Sequence, residues 1–570
     1  MSRHKPKIRL AILGVCACSG LALTAAMGQV ALPEIVETAP LATDAFSTGI
    51  LDTASGAMDA TLWRGSDGQT LEYLLTQLPS LPSTPSLGEA LRRLLLSPGT
   101  GPVGAGPSLG GKKLLALTRA GMGEEARTIS SISTASRTEP WAGQAEAVSD
   151  LLDGDITAAC RRNASLSSGR DATFWVQLRV LCYAVAGEID AADLTLGILR
   201  EQGALDDADM VFLTAAATGV APTSSPPVKN ALQHAISRKF DFPVSSQLMS
   251  GADAGVLVAA ANDTTLDPGI RIASAERSIG MGVMPISTLA GLMRSVGFDV
   301  PLLSNAVTIA NEQGGDPLTD ALLYQSVRAM SAPEFIRDKA QRISLALSLG
   351  DTFHRAYSLS LLYEHEIASL EGAIVTVDEA SRFALARMAV GDSVGAGQWL
   401  AAMVGSNGGV SALPEAQAKV FIDYVNLLTV LDPQTAAQIA RSAGVSVLGI
   451  ESAHAYKNSN GHHDQLAMAR IVEAAFDAAL EGKQGQAGLA ALAASTGNAP
   501  SGEIESVIVG QSLRAAGFSV LQRRYAFENA WAATFVEPVT EIVSGPGTQT
   551  ETVVEEPGGL MPRLKPRRQQ

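Results

Sequence analysis

Four glycines divide the stretch from Lys112 to Thr218 and its border into near-equal lengths. Gly123, Gly154, Gly187 and Gly219 recur at intervals of roughly 30–35 residues, the length of a two-helix repeat unit. Around each, the chain runs an apolar segment into the glycine, places an acid or small residue beside it, and resumes with alanines. Leu114-Leu115-Ala116-Leu117 leads to Gly123-Glu124-Glu125-Ala126. Val148, Leu151 and Leu152 lead to Gly154-Asp155-Ile156-Thr157-Ala158, and Leu178, Leu181 and Val185 lead to Gly187-Glu188-Ile189-Asp190-Ala191. A glycine can take positive φ and end one helix, an acid after it favours the start of the next, and alanines let two helices approach closely. A unit of this size cannot bury its apolar face alone, so it must stack on a copy of itself. The fold class expected is all-α, built from stacked helical hairpins. The last unit is degenerate, since Pro222, Pro226 and Pro227 interrupt its second helix.

In period and helix-turn-helix layout this region resembles the tetratricopeptide-like α-solenoids, which implies a curved stack that binds another polypeptide. The Trp, Leu-Gly and Tyr of that family's first helix are not in register here. Beyond Gly219 the chain stays helical without a fixed period. Cap residues ahead of proline mark helix starts at Asp267-Pro268, Asp316-Pro317, Ser331-Ala332-Pro333 and Asp432-Pro433. After Pro414, the residues Val420, Phe421, Tyr424, Val425, Leu427, Leu428 and Leu431 share one helical face and read as core. The hairpin theme returns at Gly350-Asp351, Gly391-Asp392 and Gly517-Phe518. Strand signals are few: Ala373 to Val377 is one short β-branched stretch on which no sheet is built.

The first 28 residues have the parts of an export signal. Arg3, Lys5, Lys7 and Arg9 form a cationic start, Leu10 to Met27 carries no charge, and Ala26-Met27-Gly28 offers small residues at a cleavage site. Two alternatives stand beside cleavage. The uncharged run could remain as an anchor in the inner membrane, and Val15-Cys16-Ala17-Cys18 imitates a lipobox. Leader, Trp63-Arg64-Gly65 and helix pairs together resemble exported, alanine-rich helical proteins of Gram-negative bacteria, which implies an address and a fold but no activity. Cleavage would make the formal net charge of −15 four units more negative, and so acidic a surface repels phosphate backbones. Nucleic acid is therefore excluded as a partner. With 46% hydrophobic and 17% charged residues the body can bury a large core.

The expected organisation is a signal peptide at 1–28, a flexible linker at 29–60, a helical-repeat region at 61–240, an irregular helical region at 241–536 and a disordered tail at 537–570. The tail is acidic from Glu537 and turns basic at Arg563, Lys565, Arg567 and Arg568, so its tip could touch anionic lipid. Past the leader only Cys160 and Cys182 remain. In a hairpin stack they would lie on neighbouring helices, where they either pair or serve as small apolar thiols.

Motif matches are present but lack their context. Gly106-Pro107-Ser108-Leu109-Gly110 fits the nucleophile-elbow pattern, yet the Gly- and Pro-rich residues before it cannot supply the buried strand that the turn needs. Its extension to Gly111-Lys112-Lys113 imitates a phosphate loop, with Lys113 where a magnesium-binding hydroxyl is required. His454, His462 and His463, with Glu451 and Asp464, fit no standard metal spacing. His354, Glu364, His365 and Glu366 lack the H-E-x-x-H order and read as helix-surface residues. No catalytic, cofactor or metal residue is assigned. The expected function is that of a non-catalytic scaffold in the periplasm or outside the cell, binding another envelope protein. The alternative is an envelope hydrolase acting on cell-wall or glycan material through a carboxylate site. A cleft with convergent polar groups would favour the second, and a groove with an apolar patch the first.

Overall fold

The computed structural model describes residues 44–445 and 471–535, except 103, 105, 134–138, 204, 371, 406–408, 472–473, 476 and 496–502. The leader, the tail and the loop with His454, His462 and His463 lie outside the described residues. Every regular element among the described residues is a helix. Ala373 to Thr376 form no strand, and Ile374 stands 91% exposed. None of these helices is long and apolar enough to cross a membrane.

Helices α1 (Gly68–Gln77) and α2 (Pro85–Leu96) precede the repeat. Three antiparallel hairpins follow: α3 (Ser108–Arg119) with α4 (Gly123–Ile132), α5 (Pro140–Leu152) with α6 (Ile156–Ser165), and α7 (Thr173–Ala186) with α8 (Ile189–Glu201). The first hairpin turns at a different glycine from the one its sequence suggests. Gly154, Gly187 and Gly219 all take positive φ, but in the first hairpin Gly121 does so at +87° while Gly123 is the first residue of α4. Counted from Gly121, the left-handed glycines are spaced even more evenly than the sequence pattern. In the second hairpin the acid after the turn caps the helix that follows. Asp155 accepts a hydrogen bond from the Ala158 N–H at the start of α6, which satisfies an amide that the helix itself cannot. Between hairpins, α3 lies along α5 and α6 along α7, with Leu114, Leu117, Leu151, Leu178 and Leu181 buried.

The stack ends where the prolines stand. Helix α9 (Asp207–Thr218) opens a fourth unit, but no helix occupies residues 219–230. With no such helix to follow it, α8 leaves Leu194 71% exposed. The chain turns back instead: α10 (Ala231–Lys239) packs across α5 and α9, and α11 (Ala254–Asn262) packs on α3 and α5.

The second half is α12 (Pro268–Gly280), α13 (Ile286–Ser295), α14 (Val300–Ser304), α15 (Ala306–Gln313), α16 (Pro317–Arg328), α17 (Ile336–Ser348), α18 (Phe353–Leu362), α19 (Glu364–Ala368), α20 (Val377–Ala389), α21 (Ser393–Val404), α22 (Glu415–Leu431) and α23 (Pro433–Ala443). Asp267, Asp316 and Asp432 cap α12, α16 and α23, each ahead of a first-turn proline. Pro333 starts a short 3₁₀ turn that leads into α17. Phe421, Val425 and Leu428 form the buried face of α22.

Three last helices, α24 (Gln484–Ala494), α25 (Glu503–Ala515) and α26 (Ser519–Ala532), close the molecule. Helix α24 packs on α1 and α2, and α26 lies between α2 and α22. The approach of α24 needs glycine: a Cβ on Gly485 would stand 2.3 Å from the Trp63 ring, and the Gly485 N–H donates to the Leu62 carbonyl at 2.9 Å. One apolar core runs from Ala45 to α11 and returns through Leu489 to Tyr525. The other runs from Ala261 to Ala443 and includes Phe527 and Trp531. The two cores interleave along α11 and α12, where Ala260, Leu266 and Met281 belong to the first and Ala261, Ile272 and Ile279 to the second, and α26 belongs to both. Residues 44–51, composed like a linker, are packed: Ala45, Phe46 and Leu51 are buried, and the Ile50 and Leu51 amides donate to the Leu96 carbonyl. Few apolar residues suffice here, because the segment pairs its backbone with the loop after α2.

Candidate functional site

Helix α10 crosses α5 so that its two ends line different grooves. The first groove, about 610 Å³, lies between α3, α5, α7 and the start of α10. It continues into a 210 Å³ hollow against α1 and α2 through the shared residues Pro79, Ser80, Leu115, Arg119 and Trp141. Its apolar wall is Leu115, Trp141, Val148, Phe174 and Leu232, and Gln144, Gln177 and Asn230 place amides along it. Trp141 is 37% exposed, with the Lys112 ammonium 5.5 Å from its ring centre. The cations at the groove are already paired: Lys112 with Glu72 at 3.1 Å, Arg119 with Asp253 at 3.3 Å and Lys229 with Asp206 at 3.2 Å. Gln177 donates to Asp209, whereas the Gln144 amide makes no hydrogen bond among the described residues.

The second groove, about 830 Å³, opens beside the turns of the first two hairpins and the far end of α10. Arg127 with Asp153 and Arg238 with Asp263 form ion pairs on its walls. His234 is buried near the second pair, and burial, aided by the Arg238 charge, pushes its imidazole down to about 4, so it is neutral at pH 7. A neutral imidazole can accept a proton from a nucleophile, but no hydroxyl of the groove is bonded to it. The Thr118 hydroxyl donates to the Leu114 carbonyl, and that of Thr265 donates to Asp263. The groove offers hydrogen-bonding groups without a nucleophile and base in contact.

The residues singled out in the sequence fall elsewhere. Ser108 begins α3, and among the described residues no strand precedes it and its hydroxyl has no hydrogen bond to histidine or acid. Lys113 points into the protein rather than toward a ligand. It is 1% exposed, its ammonium donates to the carbonyls of Phe46 at 2.9 Å and Thr48 at 2.6 Å, and burial pushes it down to about 7. It therefore latches the N-terminal segment. Replacing Lys113 with methionine should preserve the packed volume yet strip both carbonyls of their donor. The expected cost is about 1–3 kcal/mol, read as a lower denaturation midpoint and faster amide exchange at Ile50 and Leu51.

Cys160 on α6 and Cys182 on α7 are joined as a disulfide, with their Cα atoms 5.5 Å apart. Glu364 and His365 are exposed, and Glu366, 7% exposed, pairs with Arg328 at 3.6 Å. His354, read as a surface residue, is instead in the core. Gly280 lets α12 approach α18 so closely that a Cβ there would lie 2.5 Å from that of His354. Burial pushes this imidazole down to about 3, its Nε2 has no partner, and its hydrogen bond goes to the Ser83 backbone. Among the described residues no group of three metal-ligating side chains comes together.

Sequence reasoning missed the charged groups that the core holds. Glu276 on α12, Asp320 on α16 and Arg355 on α18 are 3%, 0% and 7% exposed. Glu528 on α26, 1% exposed, accepts from the N–H and hydroxyl of Ser86 at the start of α2, at 3.0 and 2.9 Å. Burial raises the Glu528 carboxyl above its usual range. Nothing in the spacing of these residues marks them, since each lies on a different helix. The chain matches no family model, no curated protein and no solved structure. Its function has to be argued from this geometry.

Proposed function

We propose that the chain is an exported, tetratricopeptide-like scaffold of the bacterial envelope that holds a segment of another envelope protein without acting on it chemically. The supporting observation is the first groove, where a half-exposed indole and an apolar wall stand beside side-chain amides that can bond a peptide backbone. Aromatic anchors in a groove with neutral polar groups carry most of the binding energy of such contacts.

A photo-reactive residue placed at Gln144 in the full chain should cross-link one envelope protein in intact cells, and Trp141→Ala should reduce that product about tenfold or more. Release of soluble fragments from cell-wall material by the purified protein, with no cross-link at Gln144, would replace the scaffold reading with the hydrolase reading. Export is tested by N-terminal sequencing of the protein recovered from the periplasm, with Gln29 as the expected first residue.

A further inference from the structure

Three helices of the second core bring two acids to one cation. Arg355 donates through both Nε and Nη2 to the same oxygen of Asp320, Oδ2, with Nε at 2.8 Å. Its Nη1 is turned away, donating to the Gly315 carbonyl at 2.8 Å and toward Asp351 at 3.4 Å. Glu276 stands beside them, 4.0 Å from Arg355 Nε and in hydrogen-bonding contact with the Asp320 carboxyl. Two oxygens are then left without a donor, Glu276 Oε1 and Asp320 Oδ1. One guanidinium cannot neutralise two carboxylates in a site this dry, and a proton is the simplest group that could serve both orphaned oxygens.

We propose that Glu276 and Asp320 share one proton at neutral pH, carried by Glu276 and donated to Asp320, and that its loss at alkaline pH unlocks the junction between the two cores. The groups facing the pair come from every helix around it. Arg355 is the buried cation in contact with them, while Asp351 and Asp316 are exposed acids at the starts of α18 and α16. Tyr363, wholly buried with an unpartnered hydroxyl, is held in its neutral form and adds no charge, and Glu366 is paired with Arg328. The surroundings therefore favour keeping the proton. Burial first and the Asp320 charge second raise the Glu276 carboxyl well above its usual range.

The link to the junction runs through the first turn of α18. Arg355 holds Asp320, and the preceding residue, His354, reaches the Ser83 backbone beside the start of α2. Helix α2 has no slack at this point, because a Cβ on Gly88 would stand 1.9 Å from the Met281 carbonyl at the end of α12. A second buried negative charge would push α12 and α16 apart and loosen that contact.

The sign of the pH effect follows from the raised carboxyl. Its contribution is fully present below the usual glutamate range and is lost as pH rises toward the folded-state value, because the unfolded chain releases a proton that the folded chain keeps. Glu276→Gln, which imitates the protonated form, should fold and should flatten the decline of the melting temperature between about pH 5 and 8. Infrared spectra of the full chain at neutral pH should show the carbonyl stretch of a buried protonated carboxyl. Glu528 is another buried acid among the described residues whose carboxyl burial raises, so Glu528→Gln is recorded alongside. The expected result is a band kept in Glu528→Gln and lost in Glu276→Gln. A band kept in Glu276→Gln, or an unchanged pH profile of its melting, overturns the proposal. Should Glu276→Gln fail to fold, Glu528→Gln decides alone: a remaining band supports the shared proton, and its disappearance removes it.

Discussion

Replacing Arg355 with leucine is expected to destabilise the protein by about 3–5 kcal/mol, the usual cost of leaving a buried charge without its partner. Asp320 is 0% exposed and accepts two charged hydrogen bonds from this guanidinium, and Gly315 would lose a donor as well. The acids would respond by taking up protons, so the deficit should shrink in acid and grow toward neutral pH. Replacing all three residues with apolar side chains of similar volume should restore much of the loss, since desolvating an ion pair costs about as much as its attraction returns. Chemical denaturation of the single and triple variants at two pH values measures both effects. A single variant as stable as the parent at pH 7 would mean that Arg355 does not neutralise the pair.

Opening the disulfide is expected to have the next largest effect. Cys160 and Cys182 enclose 22 residues of sequence separation, and a closed loop of that size confers about 3 kcal/mol by restricting the unfolded chain. The bond ties the second helix of one hairpin to the first helix of the next, and those two helices share only a modest buried face. Ala159 is buried on α6, but much of that short helix faces solvent. Reduction, or Cys160→Ala with Cys182→Ala, should therefore lower the denaturation midpoint and raise amide exchange in α6 to α8 first. The pairing of α3 with α5, the broadest helix-to-helix contact of the stack, should keep its protection. Equal loss of protection along the whole stack would argue instead that the hairpins unfold as one unit.

The two effects differ in kind. The disulfide acts mainly on the unfolded chain, so its loss should be nearly independent of pH. The Arg355 cluster acts on the folded state through proton binding, so its loss should depend on pH. A pH series on both sets of variants separates them.

Much of the fold was legible because it follows from local chemistry. A glycine's freedom to take positive φ, an aspartate's ability to cap an N–H and a proline's fixed φ at a first turn all act within about one helical turn. The starts of α12, α16 and α23 and the turns at Gly154 and Gly187 could therefore be read along the chain. Even the error at Gly123 was local, since the glycine that makes the turn, Gly121, stands close by. The prolines after Gly219 announced the end of the stack, because a residue without an N–H cannot continue a helix.

What local chemistry does not carry is which helices meet. The sequence by itself determined an all-helical chain with hairpins of near-constant length, a degenerate fourth unit and two cysteines on adjacent helices. Only the tertiary structure decided that α10 and α11 fold back over α5 and that α24 and α26 close on α1 and α2. It alone turned His354 from a surface residue into a core one and gathered Glu276, Asp320 and Arg355 at one point. The physical reason is that burial belongs to a contact, not to a residue. An acid on a helix reads as solvated until another helix covers it. The glycines that permit such covering meet partners far along the chain, Gly88 against Met281, Gly280 against His354 and Gly485 against Trp63, and no local pattern announces those meetings.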